Sequence, residues 1–367
     1  MLDLGTTAAV YAFLTPFVVF GLLVLLHVTL PALKVEGYVR NEQTGELLNY
    51  RLNGLLVFAV ALGVWWFEVG GIPRDWLFRA TFYSVAGSTV LAFLITLVLM
   101  LGVRDKGRNG LRKFWNGWEL NPKLGNRVDV KMVLYIFGGT LLSLNALSGA
   151  AYHAGLYGES FNLGVLVYAG MWTFFVIDYF SFERVQLYTY DIIHETLGFK
   201  LIWGCLVVYA YLYLIPLWGL SHFPAPGFLE GGSLYYLGGI CLLFLIGWVI
   251  SRGSNWQKYT FKRWPDRKFL GFIAPRTLGS GEAKILCSGF WGASRHMNYF
   301  GEFLMALAMA LAFGHFLNVW AWIYVVFIVG LFIHRQRTDD QFCAKKYGEA
   351  WAQYCKKTPK RIIPGIY

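Results

Sequence analysis

The sequence predicts an all-α, polytopic integral membrane protein with about nine or ten transmembrane helices, and three observations carry that expectation. Of its 367 residues 57% are hydrophobic and 18% aromatic, while only 14% are charged, far from the balance of a soluble globular domain. Apolar runs approaching the ~20 residues needed to cross a hydrocarbon core recur near 8–30, 53–70, 78–103, 132–150, 161–180, 197–218, 234–251, 299–316 and 318–334. The Lys and Arg residues gather into three blocks, eight in 104–131, nine in 252–295 and eight in 335–367, against none in 151–160 or 219–233. The positive-inside bias places those blocks in the cytoplasm, the N-terminus outside and the C-terminus inside. Topology thus explains the formal charge of +11, and no nucleic-acid partner is implied.

The first apolar run is preceded by no Lys or Arg and is as long as a true crossing, so it is expected to be a retained helix rather than a cleaved signal. Residues 1–103 read as an N-terminal transmembrane scaffold of spans and short loops, and 104–367 as the core that carries the polar constellations. With no Pro/Gly/Ser linker between them, the two are expected to form one integrated membrane domain.

Within the core, "NWQKYTFKRWP" (255–265) interleaves aromatics with cations. If helical, Lys258 and Lys262 lie one above the other and offer two cations to one anion; an interfacial helix meeting lipid headgroups has the same composition. In the tail, Arg335, Asp339, Cys343 and Tyr347 recur every fourth residue. On a helix they share one slowly drifting face, where Asp339 is either half of an i,i+4 ion pair with Arg335 or an acid poised just beyond an apolar span. Cys205, Cys241, Cys287, Cys343 and Cys355 form no CxxC pair, and the seven His residues no HxxxH or HxxE grouping; neither disulfide nor metal is indicated. The glycines spell no GxGxxG fingerprint, and their expected use is close helix packing.

Five motifs in order, "GWELNP" (117–122), "DIIHETLGF" (191–199), "NWQKYTFKRWP" (255–265), "SGFWGASRHMNYFGE" (288–302) and the tail 334–367, resemble the membrane sterol reductases, the family that includes Δ14-sterol reductase, 7-dehydrocholesterol reductase, Δ24(24-1)-sterol reductase and the C-terminal part of lamin B receptor. The resemblance covers roughly the last 250 residues. It implies an NADPH pocket opening to the cytoplasm in the C-terminal half, a sterol entering from the bilayer, and reduction of a carbon-carbon double bond by protonation and hydride transfer. By the same resemblance Lys258 and Lys262 hold cofactor phosphate, Leu286 and Trp291 pack against the cofactor, Asn298 and Tyr299 hydrogen-bond it, and Cys343, Tyr347 and Tyr354 complete the wall. Asp339 falls beside the reacting nicotinamide as the acid or its relay, and Arg295, His296 and Arg335 take supporting roles as phosphate donors or orienters. The membrane would be the endoplasmic reticulum in a eukaryote or the inner membrane in a bacterium.

The departures bear on the substrate. Where the Δ14 branch has a Tyr in its "YxxD" motif, this chain reads "FVID", with Phe175 ahead of Asp178. A Phe donates no proton, so a nearby Tyr (Tyr168, Tyr179, Tyr188 or Tyr190) substitutes, or the acid works alone, or the target bond differs. "SGFWG" and "DIIHE" look closer to the Δ24(24-1) branch, so a side-chain Δ24 or Δ24(24-1) bond is favoured over ring Δ14 or Δ7. Two alternatives stand beside this expectation. Isoprenylcysteine-type membrane methyltransferases, which use S-adenosylmethionine, share an "RHPxYxG" motif, but this chain has Met297 at the Pro position. A sterol-binding homologue that has lost the reaction is the other.

Overall fold

The computed structural model describes residues 4–41, 45–101, 110–125, 128–230, 233–281 and 284–367. Arg104, Lys106, Arg108 and Arg127 of the first basic block, and the boundary expected near Val103, lie outside the described residues. The chain divides into two compact units, Met1–Ala225 and Pro226–Tyr367.

The first unit is built on α1 (Thr6–Thr29), a hairpin of β1 (Leu33–Arg40) and β2 (Leu47–Leu52), then α2 (Gly54–Trp66), α3 (Thr81–Leu101), α4 (Val130–Tyr157), α5 (Leu163–Ser181) and the irregular α6 (Phe199–Leu220). Helix α4 is its axis, with the whole run Val130–Leu134 buried. It starts where the Asp129 carboxylate accepts a hydrogen bond from Met132 N at 3.1 Å, satisfying one of the first-turn donors. Asn162 caps α5 in the same way through Gly164 N. Helix α6 opens into a π turn at Gly204–Tyr209 and a 3-10 turn at Leu212–Leu214 before Pro216 enters a short last helix, where its missing N–H costs nothing.

The hairpin was not among the expected elements, because a search for apolar runs passes over it. Its signal is alternation: Leu33 pairs with Leu52 and Val35 with Tyr50, and Tyr50 is buried. Arg51 at its end closes the last turn of α1, its Nη2 donating to Leu30 O at 2.8 Å and to Val28 O at 3.2 Å, which places a cation on the negative end of the helix.

The second unit contains α7 (Leu234–Arg263), the short strands β3 (Thr277–Leu278) and β4 (Ile285–Leu286), α8 (Met297–Ala312), α9 (Val319–Tyr347) and α10 (Glu349–Lys357). Helix α7 does not stop at the end of its apolar run. It carries straight on through "NWQKYTFKR", so Lys258 and Lys262 do stand on one helix a turn apart. Helix α9 likewise runs from Asn318, whose side chain caps it through Trp320 N, out through the polar tail. Helices α7 and α8 meet at paired glycines: a Cβ added to Gly301 would lie 2.5 Å from Gly247 O and from Ser251 N.

Among the described residues seven helices are long and apolar enough to cross a membrane, or eight if α2 and the segment Val69–Arg79, bent by 69°, count as one. The ninth expected crossing is α8, which at 16 residues is short of the ~20 of a full span. The protein is a multi-pass, helical membrane protein, as the sequence suggested.

Candidate active site

In the first unit two of the motifs meet. Leu197 N donates to Glu119 O at 2.8 Å and Asn121 Nδ2 to Ile192 O at 3.1 Å, and Thr196 Oγ1 bonds Asn116 O at 2.7 Å. Gly198 is required there, since a Cβ would fall 2.1 Å from Gly117 N. Lys131 is fully buried, and its ammonium donates to Asp191 O and Glu195 O at 2.6 Å each, pinning the "DIIHE" turn to the start of α4. Phe175 packs its ring edge-on to Trp172 at 5.8 Å.

The second unit gathers all thirteen site residues that the resemblance implied. On α7, Lys258 points its ammonium over the Trp291 ring at 5.3 Å, a cation-π contact, while Lys262 is half-buried one turn further on. The indole is held by its own Nε1, which donates to Ser254 O at 2.9 Å. Behind it the Tyr354 phenol donates to Trp291 O at 2.7 Å; burial raises the Tyr354 pKa, so the group stays a donor. Leu286 is buried in β4, and Cys343 and Tyr347 pack with Trp351 and Tyr354 in an apolar cluster. The turn leading to Trp291 depends on Gly289 (φ +60°), where a Cβ would strike the Gln257 amide. That amide donates to Ser288 O and accepts from Phe290 N, both at 3.0 Å.

Asp339 lies on α9, five residues beyond the expected end of the apolar run at 334, one turn from Arg335, and half-buried. The Tyr299 phenol donates to its Oδ2 at 2.9 Å. The Tyr299 ring is sandwiched, stacked on His296 at 5.0 Å with planes 5° apart and on Phe332 at 4.3 Å with planes 4° apart. Tyr299 was expected to hydrogen-bond the cofactor; here its hydroxyl meets the acid. Arg295 was expected as a phosphate donor or orienter, and here its guanidinium turns inward to Asp340 at 3.2 Å. Sequence reasoning missed Asp340 itself, and Gln336 and Arg361, which flank its other oxygen. The "DD" doublet was a visible signal for Asp340, whereas nothing local ties Arg361 to it.

The donor set fits a dinucleotide. Two cations a turn apart suit phosphate, Trp291 offers an aromatic face, and three buried atoms of the site residues lack a hydrogen-bond partner among the described residues: Asn298 Oδ1, an acceptor for an amide N–H, His296 Nε2 and Arg295 Nε. No grouping of three or more His, Cys, Asp or Glu that could hold a metal occurs among the described residues.

His296 is 7% exposed. Burial, with the cations of Lys258, Arg295 and Arg361 nearby, lowers its pKa from 6.5 to about 3, so the ring is neutral at neutral pH. The sign follows from linkage: below about pH 6.5 the unfolded chain takes up a proton that the folded imidazole refuses until about pH 3, so acidification favours unfolding. We expect the thermal midpoint of the purified protein to fall between about pH 6.5 and pH 4, and His296→Phe, which keeps a ring on Tyr299, to flatten that slope. An identical slope in the variant would assign the acid sensitivity to other groups.

The model of the ergosterol biosynthesis ERG4/ERG24 family matches residues 3–367. The chain is similar to a Delta(14)-sterol reductase of Methylotuvimicrobium alcaliphilum, 34% identical over 360 aligned residues that cover 93% of this chain and 80% of the relative. It is also similar to Delta(14)-sterol reductase TM7SF2 of Mus musculus, 33% identical over 377 aligned residues with 97% and 86% covered. A Delta(14)-sterol reductase of Arabidopsis thaliana is 29% identical over 358, with 92% and 91% covered.

Proposed function

The chain belongs to the ergosterol biosynthesis ERG4/ERG24 family, and from that membership we propose that it reduces a carbon-carbon double bond of a membrane sterol, with NADPH as reductant and the ring Δ14 bond as target. The relatives that match over most of their length carry the Delta(14) name, which favours Δ14 and leaves the side-chain Δ24 or Δ24(24-1) preference drawn from "SGFWG" and "DIIHE" without support. The methyltransferase alternative has no support in these similarities either. Phe175 is no obstacle, since Asp339 has a phenol partner in Tyr299.

The observation that supports this proposal is in the second unit, where Lys258 lies over the Trp291 ring with Lys262 one turn along and Tyr299 hydrogen-bonds Asp339, groups suited to holding phosphate and delivering a proton. NADPH supplies a hydride. The chain's own residues must bind, orient and protonate: Lys258 and Lys262 hold phosphate as cations, Leu286, Trp291, Cys343, Tyr347 and Tyr354 form the wall, and Asn298 offers its free carbonyl to an amide. Arg335 and His296 orient the groups around them. An isolated alkene becomes a hydride acceptor once protonated, and Asp339 is the acid placed to do it, directly or through the Tyr299 hydroxyl. The sterol enters from the bilayer, and the site faces the cytoplasm if the basic blocks do.

The test is expression in sterol-containing cells that lack Δ14 reduction, followed by mass spectrometry of the sterol fraction. We expect Δ14-unsaturated sterols to gain two hydrogens. Gain of two hydrogens only at a side-chain bond would overturn the Δ14 assignment, and binding of NADPH with no sterol reduced would identify a homologue that has lost the reaction.

A further inference from the structure

Asp339 and Asp340 are neighbours on α9, and a helix turns about 100° per residue, so the two carboxylates face different partners. Asp339 meets Tyr299. Asp340 meets Arg295, which is 7% exposed and sends Nη1 to Asp340 Oδ1 at 3.2 Å and to Cys355 Sγ at 2.8 Å. The other oxygen, Asp340 Oδ2, accepts from Gln336 Nε2 at 2.5 Å and lies 3.7 Å from Arg361 Nε. Arg361 belongs to a segment stitched to the start of α8: Arg295 N donates to Lys360 O at 3.1 Å, His296 N to Arg361 O at 2.8 Å, and Ser294 Oγ to both Arg361 O and Ile362 O at 2.9 Å.

Arg295 and Tyr299 are four residues apart and their partners are adjacent. Two rungs therefore join the start of α8 to the polar end of α9, Arg295 to Asp340 and Tyr299 to Asp339. The first is a charge pair between the buried Arg295 and the half-buried Asp340, whose loss strands a buried cation; the second is a single hydrogen bond.

We infer that Asp340 is a positioning residue for Asp339, its pair with Arg295 fixing the register of α9 against α8 so that the acid stays on the Tyr299 phenol. The inference rests on the reading of Asp339 as the acid. It assigns Arg295 to alignment rather than to cofactor phosphate, and gives the doublet two unlike carboxylates, one ion-paired and one available for proton transfer.

The test compares kcat, NADPH KM and the pH profile of the purified enzyme on a Δ14-unsaturated sterol for wild type, Asp340→Asn, Arg295→Met, their double variant and Lys258→Ala. Asp340→Asn should lower kcat at least about tenfold with NADPH KM changed less than about threefold, whereas Lys258→Ala raises KM. The groups whose charges reach Asp339 are Lys258 on α7, Tyr299 on α8, and Arg335, Asp340 and Cys343 on α9 itself. Removing the negative charge of Asp340 leaves Lys258 and Arg335 to favour the Asp339 carboxylate unopposed, so the alkaline limb of kcat should move to lower pH, a shift that simple loosening would not produce. The double variant should be no worse than the poorer single one, because it strands no charge.

Wild-type kcat in Asp340→Asn, or a KM rise like that of Lys258→Ala, overturns the inference. If Asp340→Asn does not fold, Asp340→Glu takes its place: the charge is kept and the rung displaced, so kcat falls with the alkaline limb unmoved, and an unchanged kcat overturns the inference. An inactive wild type defeats the proposed function itself; an active wild type with fully active Asp340 variants defeats only this inference.

Discussion

Asp339→Asn lowers turnover by a factor on the order of 100 or more, as expected for removal of a general acid, while NADPH affinity changes by less than about tenfold. The substitution is nearly isosteric, and the Asn carbonyl can still accept the hydrogen bond that Tyr299 Oη now gives to Asp339 Oδ2 at 2.9 Å. What disappears is the titratable proton. Both partners are held independently of each other, Tyr299 by the rings of His296 and Phe332 and residue 339 by the ion pair of its neighbour Asp340, so geometry should survive. Tyr299→Phe is the companion measurement: the stack remains and the hydroxyl is lost, so a fall comparable to that of Asp339→Asn makes the phenol the group that hands over the proton, and a small fall leaves it as an orienter. A wild-type rate in Asp339→Asn would remove the acid role from the carboxylate.

Much of this site was legible because its chemistry is spaced at helical periods. Lys258 and Lys262 four apart, and Arg335, Asp339, Cys343 and Tyr347 four apart, imply one face as soon as the segment is helical, and α7 and α9 continue past their apolar runs without a break. Contacts between distant residues were not legible. That Tyr299 meets Asp339, or that Arg295 meets Asp340 while Arg361 approaches it, depends on how α8, α9 and the last residues pack, and no local pattern encodes it. The β1–β2 hairpin was missed for a different reason: an apolar count is blind to alternation, which is the whole signal of a half-buried strand pair. An apolar count is also blind to how each run folds: among the described residues one lies in a bent pair at Gly54–Trp66 and Val69–Arg79 and another in the 16-residue α8 at Met297–Ala312.

Gly301→Ala is expected to cost about 1–3 kcal/mol of stability, the usual penalty of overpacking, and to remove most NADPH binding, because α7 and α8 touch through backbone at this point. The new methyl would lie 2.5 Å from Gly247 O and Ser251 N and 2.8 Å from Ser251 Cβ. Backbone atoms cannot swing aside as a flexible side chain can, so the helices must separate by about 1 Å to restore ordinary contact. Close approach through small residues is how membrane helices gain packing where no hydrophobic drive is available, and the cost therefore falls on the contact itself. It is transmitted to function because α7 carries Lys258 and Lys262 while α8 carries Asn298 and Tyr299 in its first turn, and Ser251 Oγ, one turn from Gly247, donates to Glu302 Oε1 at 2.7 Å across the same seam. Separation would move the cationic wall away from the acid pair as a unit. Gly238→Ala on α7, where a Cβ meets nothing within 4 Å, is the control and should leave binding and thermal stability unchanged. If Gly301→Ala bound NADPH as tightly as wild type, the glycine contact would not set the distance between the two halves of the site.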